Sequence, residues 1–184
     1  MSVTIQNIRK NIEEKIKELP LVQYEWILPK ELLFKEEVRQ ICKNECPMYG
    51  KSWSCPPAVG TVPECKAHSL EYQGVFLFTT IAEVSDIANF EETLATRNEH
   101  EKITRSIRNF FAEEGIECMA LSSESCAVCK ECAYGCGEPC RHPEYMIPCI
   151  ESYGILVTDI AEKYQIPFLD SITTVQWFGM IFYR

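Results

Sequence analysis

Apolar residues recur at helical spacing near the start of the chain and again in its middle. Over residues 3–19, isoleucine and leucine occupy every third or fourth position, which predicts an amphipathic helix. A second helix is predicted over Leu32–Ile41. Its expected core residues are Leu33, Phe34, Val38 and Ile41. A longer helix is predicted over residues 87–114, and Gly115 follows its last turn.

Runs of β-branched and aromatic residues predict the strands. They are Gly74–Ala82, Ile116–Leu121 and Ile172–Tyr183, with a shorter extended piece over Tyr24–Leu28. Short helices are predicted over Cys65–Tyr72 and Glu151–Tyr164. Because helices separate consecutive strands, the sequence predicts an α/β or α+β fold, in which a small sheet of three to four strands is flanked by helices.

The length of 184 residues and the hydrophobic content of 46% predict one globular domain over residues 1–184. Eighteen basic against 27 acidic residues give a net charge of −9, which repels phosphate backbones and anionic membrane surfaces. The apolar runs are far shorter than the ~20 residues that cross a bilayer, and no signal peptide opens the chain. We therefore expect a soluble, cytoplasmic protein that binds neither nucleic acid nor membranes.

The cysteines concentrate in two loops. Of eleven in the chain, most lie within residues 42–65 or 126–149, after the N-terminal helices expected within residues 3–41. An odd number in two clusters is typical of metal-binding loops rather than of a disulfide framework, and a reducing cytosol keeps the thiols available as ligands. The sequence therefore predicts a metal-binding protein.

The second loop carries a recognisable spacing. Cys126, Cys129, Cys132 and Cys136 follow C-x2-C-x2-C-x3-C, by which bacterial ferredoxins hold a [4Fe–4S] cluster. The first three thiolates would each hold one iron. Cys136 and Cys140 compete for the remaining roles, because the last cysteine of such a run binds the other cluster in two-cluster ferredoxins. Zinc is the alternative, although three cysteines at this spacing supply more sulfur than a tetrahedral site needs from one side.

The first loop is less regular. Its cysteines are Cys42, Cys46, Cys55 and Cys65, separated by three, eight and nine residues. Six prolines and glycines lie between them and predict a wrapped loop without regular structure. Tyr49 and Trp53 would shield a cluster from water, and solvent exposure is one of the levers on its reduction potential.

The other residues of chemical interest receive simpler interpretations. Cys118 is expected to be a small core side chain. His68 and His100 are expected to be solvated. His142 is expected to be an exposed loop residue; the alternative is that it forms a hydrogen bond to a neighbouring cluster and tunes the reduction potential. Arg141, beside Cys140, would favour the reduced form of a cluster through its fixed positive charge.

Three motifs carry a resemblance to a known family. They are C-x3-C-P-x-Y-G-K-S-W-S-C-P-P at Cys42–Pro57, C-x2-C-x2-C-x7-C-R-x-P at Cys126–Pro143, and E-S-Y-G-I at Glu151–Ile155. Together they resemble the prokaryotic family described as predicted metal-binding proteins, domain of unknown function 2284. The resemblance implies a metal or iron–sulfur protein without naming a reaction. The matched cysteines are Cys42, Cys46, Cys55, Cys126, Cys129, Cys132 and Cys140, whereas Cys65, Cys136 and Cys149 are not matched.

These observations leave two questions of ligation and function open. The second site has a complete set of four ligands, Cys126, Cys129, Cys132 and Cys140. The first site has three assigned ligands, and its fourth is either Cys65 or Cys136. No nucleotide, flavin or hydrolase motif is present, so the leading hypothesis is a redox or electron-transfer protein with one or two [4Fe–4S] clusters, an unidentified redox partner and a possible homodimeric state. The alternatives are an enzyme whose three-cysteine cluster binds substrate for sulfur removal or reduction, and a zinc-stabilised interaction module.

Overall fold

A four-stranded antiparallel sheet forms the centre of the fold. The computed structural model describes residues 2–168 and 171–184. The strands are β1 (Gln23–Ile27), β2 (Gly74–Glu83), β3 (Cys118–Ser122) and β4 (Thr174–Tyr183). Their order across the sheet is β1-β2-β4-β3, and every neighbouring pair is antiparallel. The fold is therefore α+β, and the C-terminal strand β4 lies inside the sheet rather than at an edge.

Helices cover both faces of this sheet. They are α1 (Ser2–Ile16), α2 (Glu36–Glu45), α3 (Val62–Ser69), α4 (Phe90–Glu113) and α5 (Val157–Lys163). Short 3-10 turns lie at Pro29–Glu31, Ala133–Cys136 and Glu151–Tyr153. No helix in the described part of the chain is long and apolar enough to cross a membrane.

Strand β2 is buried on both faces, which explains its uninterrupted apolar sequence. Val75 and Leu77 belong to the core under α3 and α5, whereas Phe76 and Phe78 belong to the core under α1 and α4. All four side chains are fully buried. A strand with helices packed on each side has no solvent face, so alternation of apolar and polar residues is lost.

The second helix begins later than its pattern predicted. The segment before α2 is extended, and the N–H of Lys35 donates to the carbonyl of Gly154 at 2.7 Å. Leu33 and Ile41, expected in the core, are 58% and 50% exposed. The shift matters for function, because α2 now contains Cys42 in its last turn and ends at Glu45.

The ends of the first cysteine loop are helical, contrary to the prediction of an irregular loop throughout residues 42–65. Helix α3 begins at Val62 because Thr61 and Glu64 form a capping box. The Thr61 N–H donates to the Glu64 carboxylate at 2.7 Å, and the Glu64 N–H donates to the Thr61 hydroxyl at 3.4 Å. Two otherwise unpaired backbone donors are satisfied in this way.

The helix predicted over Glu151–Tyr164 is interrupted. A 3-10 turn at Glu151–Tyr153 ends at Gly154, which has a positive φ of 80°. A Cβ at this glycine would lie 2.9 Å from Cγ1 of Val62, so a larger residue does not fit. Helix α5 then starts at Val157.

The prediction that His100 is solvated was wrong. His100 is 1% exposed on the face of α4 that packs against the sheet. Its Nε2–H donates to the carbonyl of Phe178 at 3.0 Å, and its Nδ1 accepts from the hydroxyl of Thr80 at 2.8 Å. Burial lowers the pKa of His100 to about 4, although the Phe178 carbonyl acts in the opposite direction. His68 is exposed, as expected.

The two cysteine loops meet beside the end of edge strand β3. Strand β3 ends at Ser122 and leads into the second loop. Ser122 forms a parallel β-bridge with Cys149, near the end of that loop. The backbone N–H of Cys149 donates to the carbonyl of Ser54 in the first loop at 3.1 Å. Backbone hydrogen bonds therefore hold the two loops together.

Candidate metal centre

The first cavity, of about 200 Å³, is lined by four cysteines. They are Cys42, Cys46, Cys55 and Cys149. Cys42 lies in the last turn of α2 and Cys46 caps that helix, so the two side chains are one turn apart on the same face. The sequence motif in the first loop therefore builds one side of this cavity.

Cys149 reaches the same cavity from the second loop. The sequence pattern assigned it no role in the first site, because 93 residues lie between Cys55 and Cys149. It is held by the β-bridge to Ser122 and by its N–H bond to Ser54. In the sequence, Cys149 lies in the same loop as the second motif. Its pairing with β3 is what brings it to the first cavity.

The walls of the first cavity are mostly apolar. They include Val38, Ile41, Met48, Tyr49, Pro56 and Leu156. Two carboxylates, those of Glu124 and Glu151, also line the cavity. The Cys149 thiol donates a hydrogen bond to Oε2 of Glu151 at 2.9 Å. Burial raises the pKa values of both Cys149 and Glu151.

The second cavity brings together the four cysteines that the sequence assigned to the second site. Cys126, Cys129, Cys132 and Cys140 all line it, with a volume of about 20 Å³ between them. The lining also contains Trp53, which was expected beside the first cluster, and the exposed His142. Trp53 donates its indole N–H to the Glu138 carbonyl at 3.0 Å and meets the ring of Tyr134 edge-on at 4.9 Å.

The cysteines differ in their acidity. Burial raises the pKa of Cys55 to about 11, although the Ser54 hydroxyl acts in the opposite direction. Burial likewise raises the pKa of Cys42 and of Cys126. Burial also acts on Cys132, but hydrogen bonds from backbone N–H groups and from Ser52 outweigh it and lower the pKa of this thiol. The Cys132 thiol therefore loses its proton more readily than the Cys126 thiol in the same cavity.

Three cysteines line neither thiol-rich cavity. Cys65 is buried, donates to the Val59 carbonyl at 3.4 Å and lines a separate surface pocket. Cys136 is exposed on a 3-10 turn. Cys118, at the start of β3, donates to the Arg108 carbonyl at 3.6 Å and packs against the core, as expected.

Ser54 connects the two cavities. It is fully buried, and its hydroxyl accepts the backbone N–H of Cys126 at 2.9 Å. The same hydroxyl lies 3.7 Å from Sγ of Cys55. Three chain segments, 52–56, 124–129 and 146–149, each contribute lining residues to both cavities. The two cavities are therefore adjacent.

The motifs and this geometry agree with a comparison against known families. The family DUF2284, described as predicted metal-binding protein, matches residues 25–183. The chain belongs to this family. No match was found among curated proteins or among solved structures.

In this DUF2284 protein, the thiols surround cavities rather than converge on a point. Within residues 2–168 and 171–184, no three histidine, cysteine, aspartate or glutamate side chains are placed to hold a single metal ion. A zinc ion requires four ligands about 2.0–2.3 Å from its centre. A cluster of several irons is larger and takes one thiolate at each iron. The donor set of each cavity, four cysteines, fits such a cluster.

Arg39 is a cation beside the first site of the DUF2284 protein. It lies one turn before Cys42 on α2, and its Nη2 is 4.0 Å from Sγ of Cys65. Its guanidinium donates to the carbonyls of Gly60 and Ser152. Among the described residues, no carboxylate lies within ion-pair distance of it. Its charge is therefore available to a bound anionic group.

Proposed function

We propose that this protein is a two-cluster iron–sulfur protein that transfers electrons. The observation that carries the proposal is the pair of four-cysteine cavities joined through Ser54. A [4Fe–4S] cluster, when bound, supplies a carrier that accepts and releases one electron at a time. The residues of the chain bind such groups, shield them from water and fix the distance between them.

The ligand chemistry favours iron–sulfur over zinc. Each cavity is lined by four cysteines, and four thiolates per site match the requirement of a cubane, although Glu124 and Glu151 also line the first cavity and His142 lines the second. Zinc also accepts four thiolates, but it draws them to one point, which the described side chains do not approach. A zinc-stabilised interaction module is therefore the weaker candidate.

The second site has to open to take a cluster. A volume of about 20 Å³ holds little more than one water molecule. The loop over residues 126–140 contains only a short 3-10 turn, so its backbone is free to adjust around a metal group. Such adjustment is the coupling between metal binding and folding that cysteine sites commonly show.

The surroundings of both sites suit electron transfer. The walls of the first cavity are mostly apolar, and Trp53 packs against Tyr134 beside the second. Exclusion of water and hydrogen bonds from backbone N–H groups both tune reduction potential. The contacts of the Ser54 hydroxyl with Cys55 and with the Cys126 backbone support the proposal, because clusters in adjacent cavities would exchange electrons rapidly.

We further propose that the protein works in the cytoplasm with a separate redox protein as its partner. All eleven cysteines are free thiols, the form that a reducing compartment maintains. The net charge of −9 favours a partner with a basic docking surface.

A second candidate is an enzyme with an open first site. The observation in its favour is the apolar cavity with Glu151 in its wall, a setting in which a small substrate would be dry and close to an acid. This candidate requires that only Cys42, Cys46 and Cys55 hold the first cluster, leaving one iron free. The two candidates therefore differ in the role of Cys149.

The proposal is tested by reductive titration of anaerobically purified protein, followed by electron paramagnetic resonance. We expect two one-electron reductions, with spectral features of magnetic interaction when both sites are reduced, because the sites are adjacent. A protein whose bound iron accepts no electron at any accessible potential would contradict the proposed function.

A further inference from the structure

We propose that Cys149 is the fourth thiolate of the first metal site, so that this site is closed. The inference rests on the proposed function, because it assigns the ligands of one of the two clusters. It has a direct consequence for activity: a closed site relays electrons, whereas an open one binds substrate.

The position of Cys149 supports the assignment. Its side chain lines the same cavity as Cys42, Cys46 and Cys55. Cys149 is 9% exposed, so the thiol faces the cavity rather than bulk solvent. A small buried side chain at the wall of a thiol-lined cavity is placed as a ligand, whereas a core cysteine would be surrounded by apolar neighbours alone.

The backbone around Cys149 is fixed before any metal binds. The N–H of Cys149 donates to the Ser54 carbonyl at 3.1 Å, and the N–H of Ser122 donates to the Pro148 carbonyl at 3.0 Å. The N–H of Ile150 in turn donates to the Ser122 carbonyl at 2.9 Å. These bonds anchor Cys149 to edge strand β3 on one side and to the first loop on the other. A ligand whose backbone is already fixed loses little conformational entropy when it binds a metal.

The other spare thiols are placed elsewhere. Cys65 lines a different pocket, Cys136 is exposed, and Cys118 lies at the opposite end of β3 from Ser122. Assigning Cys149 to the first site gives four ligands for each site, which accounts for eight of the eleven cysteines. The three that remain are the three that line neither cavity.

The carboxylate of Glu151 is the hydrogen-bond acceptor of the Cys149 thiol in the metal-free state. It accepts the Cys149 S–H at 2.9 Å and so satisfies a buried donor until a metal binds. When Cys149 binds iron, an S–Fe bond replaces the S–H bond and the proton is released, as for every cysteine ligand.

The experiment compares the full-length protein with two single variants, all purified and reconstituted without oxygen. Cys149→Ala removes the assigned ligand, and Cys65→Ala is the matched control, because Cys65 is an equally buried cysteine outside the cavity. Iron and acid-labile sulfide are measured per chain. The electron paramagnetic resonance spectrum of the reduced protein is then recorded with and without cyanide, a small ligand that binds an iron lacking its protein thiolate.

We expect about eight irons in the wild type and in Cys65→Ala, with spectra that cyanide does not change. Cys149→Ala is expected either to fall to about four irons or to keep a first cluster whose spectrum changes with cyanide. Cys149→Val fills a volume similar to that of cysteine and offers no ligand, so it should show the same change and excludes a cavity-induced folding defect as its cause.

Two results would contradict the proposal, and they have different meanings. Full iron content in Cys149→Ala with no response to cyanide, or a wild-type spectrum that already responds, would show that Cys149 is not a ligand while leaving the two-cluster function intact. Wild-type protein that binds zinc without sulfide would overturn both the proposed function and the role of Cys149.

Discussion

The backbone N–H of Cys126 donates to the hydroxyl of Ser54 at 2.9 Å. The bond joins the first cysteine of the second motif to the residue immediately before Cys55, the third cysteine of the first motif. The carbonyl of the same serine accepts the N–H of Cys149. One fully buried serine thus contacts the backbone of two cysteines that lie far from it in sequence, and the two four-cysteine cavities form a single structural unit.

Replacing Ser54 by alanine should destabilise both sites. The change leaves the Cys126 N–H without a partner, which costs about 1–3 kcal/mol in the free energy of unfolding for a buried backbone donor. The reduction potentials of both clusters should also shift, because the bond helps position Cys55 and Cys126. Denaturant unfolding and potentiometric titration measure the two effects.

Ser69→Ala is the matched control for that experiment. Ser69 is equally buried, but its hydroxyl donates to the Cys65 carbonyl within α3, so its loss leaves no backbone donor unpaired. We expect a loss of about 0.5–1 kcal/mol in the free energy of unfolding, the value of one hydrogen bond, and unaltered potentials. Equal effects of the two substitutions would argue against a specific role for Ser54.

Replacing Arg39 by glutamine should lower the reduction potential of the first cluster and leave the second unchanged. Reduction adds negative charge, so a nearby fixed cation favours the reduced form and its removal disfavours it. At an effective dielectric near 20, an interaction of about 1–2 kcal/mol corresponds to about 40–90 mV for one electron. Arg39→Lys should restore most of the potential. If Arg39→Lys and Arg39→Gln shifted it equally, the effect would be structural rather than electrostatic.

Buried His100 should make the fold sensitive to mild acid. Its pKa of about 4 lies below the ordinary histidine value of 6.5, so between these pH values the unfolded chain binds a proton at this residue and the folded chain does not. Stability is therefore fully present above about pH 6.5 and falls as the pH decreases toward 4. On this basis the wild type should lose about 2 kcal/mol more than His100→Gln between pH 7 and pH 5.

Denaturant unfolding of the wild type and His100→Gln at both pH values measures that difference. Protonation of carboxylates and acid-induced loss of metal affect both proteins and cancel in the comparison. Parallel losses in the two proteins would mean that His100 is protonated, or exposed, in the native state.

The sequence predicted the long-range architecture where periodic patterns were long. The uninterrupted apolar run in β2 and the stripe on α4 identified a buried strand and a packed helix, and the family resemblance was confirmed. The sequence also grouped Cys126, Cys129, Cys132 and Cys140, which line one cavity, because the short spacings among the first three keep their side chains near one another.

Features that depend on tertiary contacts were not predictable in the same way. Cys149 reaches the first cavity only because β3 pairs with the end of the second loop. His100 sits on a helix whose neighbouring residues are charged, and its burial follows from hydrogen bonds to Thr80 and Phe178 on two different strands. Trp53 covers the second site rather than the first because the two loops are interleaved.

The central claim is that two iron–sulfur clusters occupy the adjacent cavities, and metal analysis of the native protein tests it most directly. Iron, acid-labile sulfide and zinc are measured per chain after purification without oxygen, together with the visible absorption spectrum. We predict a brown protein with about eight irons and eight sulfides and without stoichiometric zinc. A colourless protein that contains zinc and no sulfide would contradict the claim.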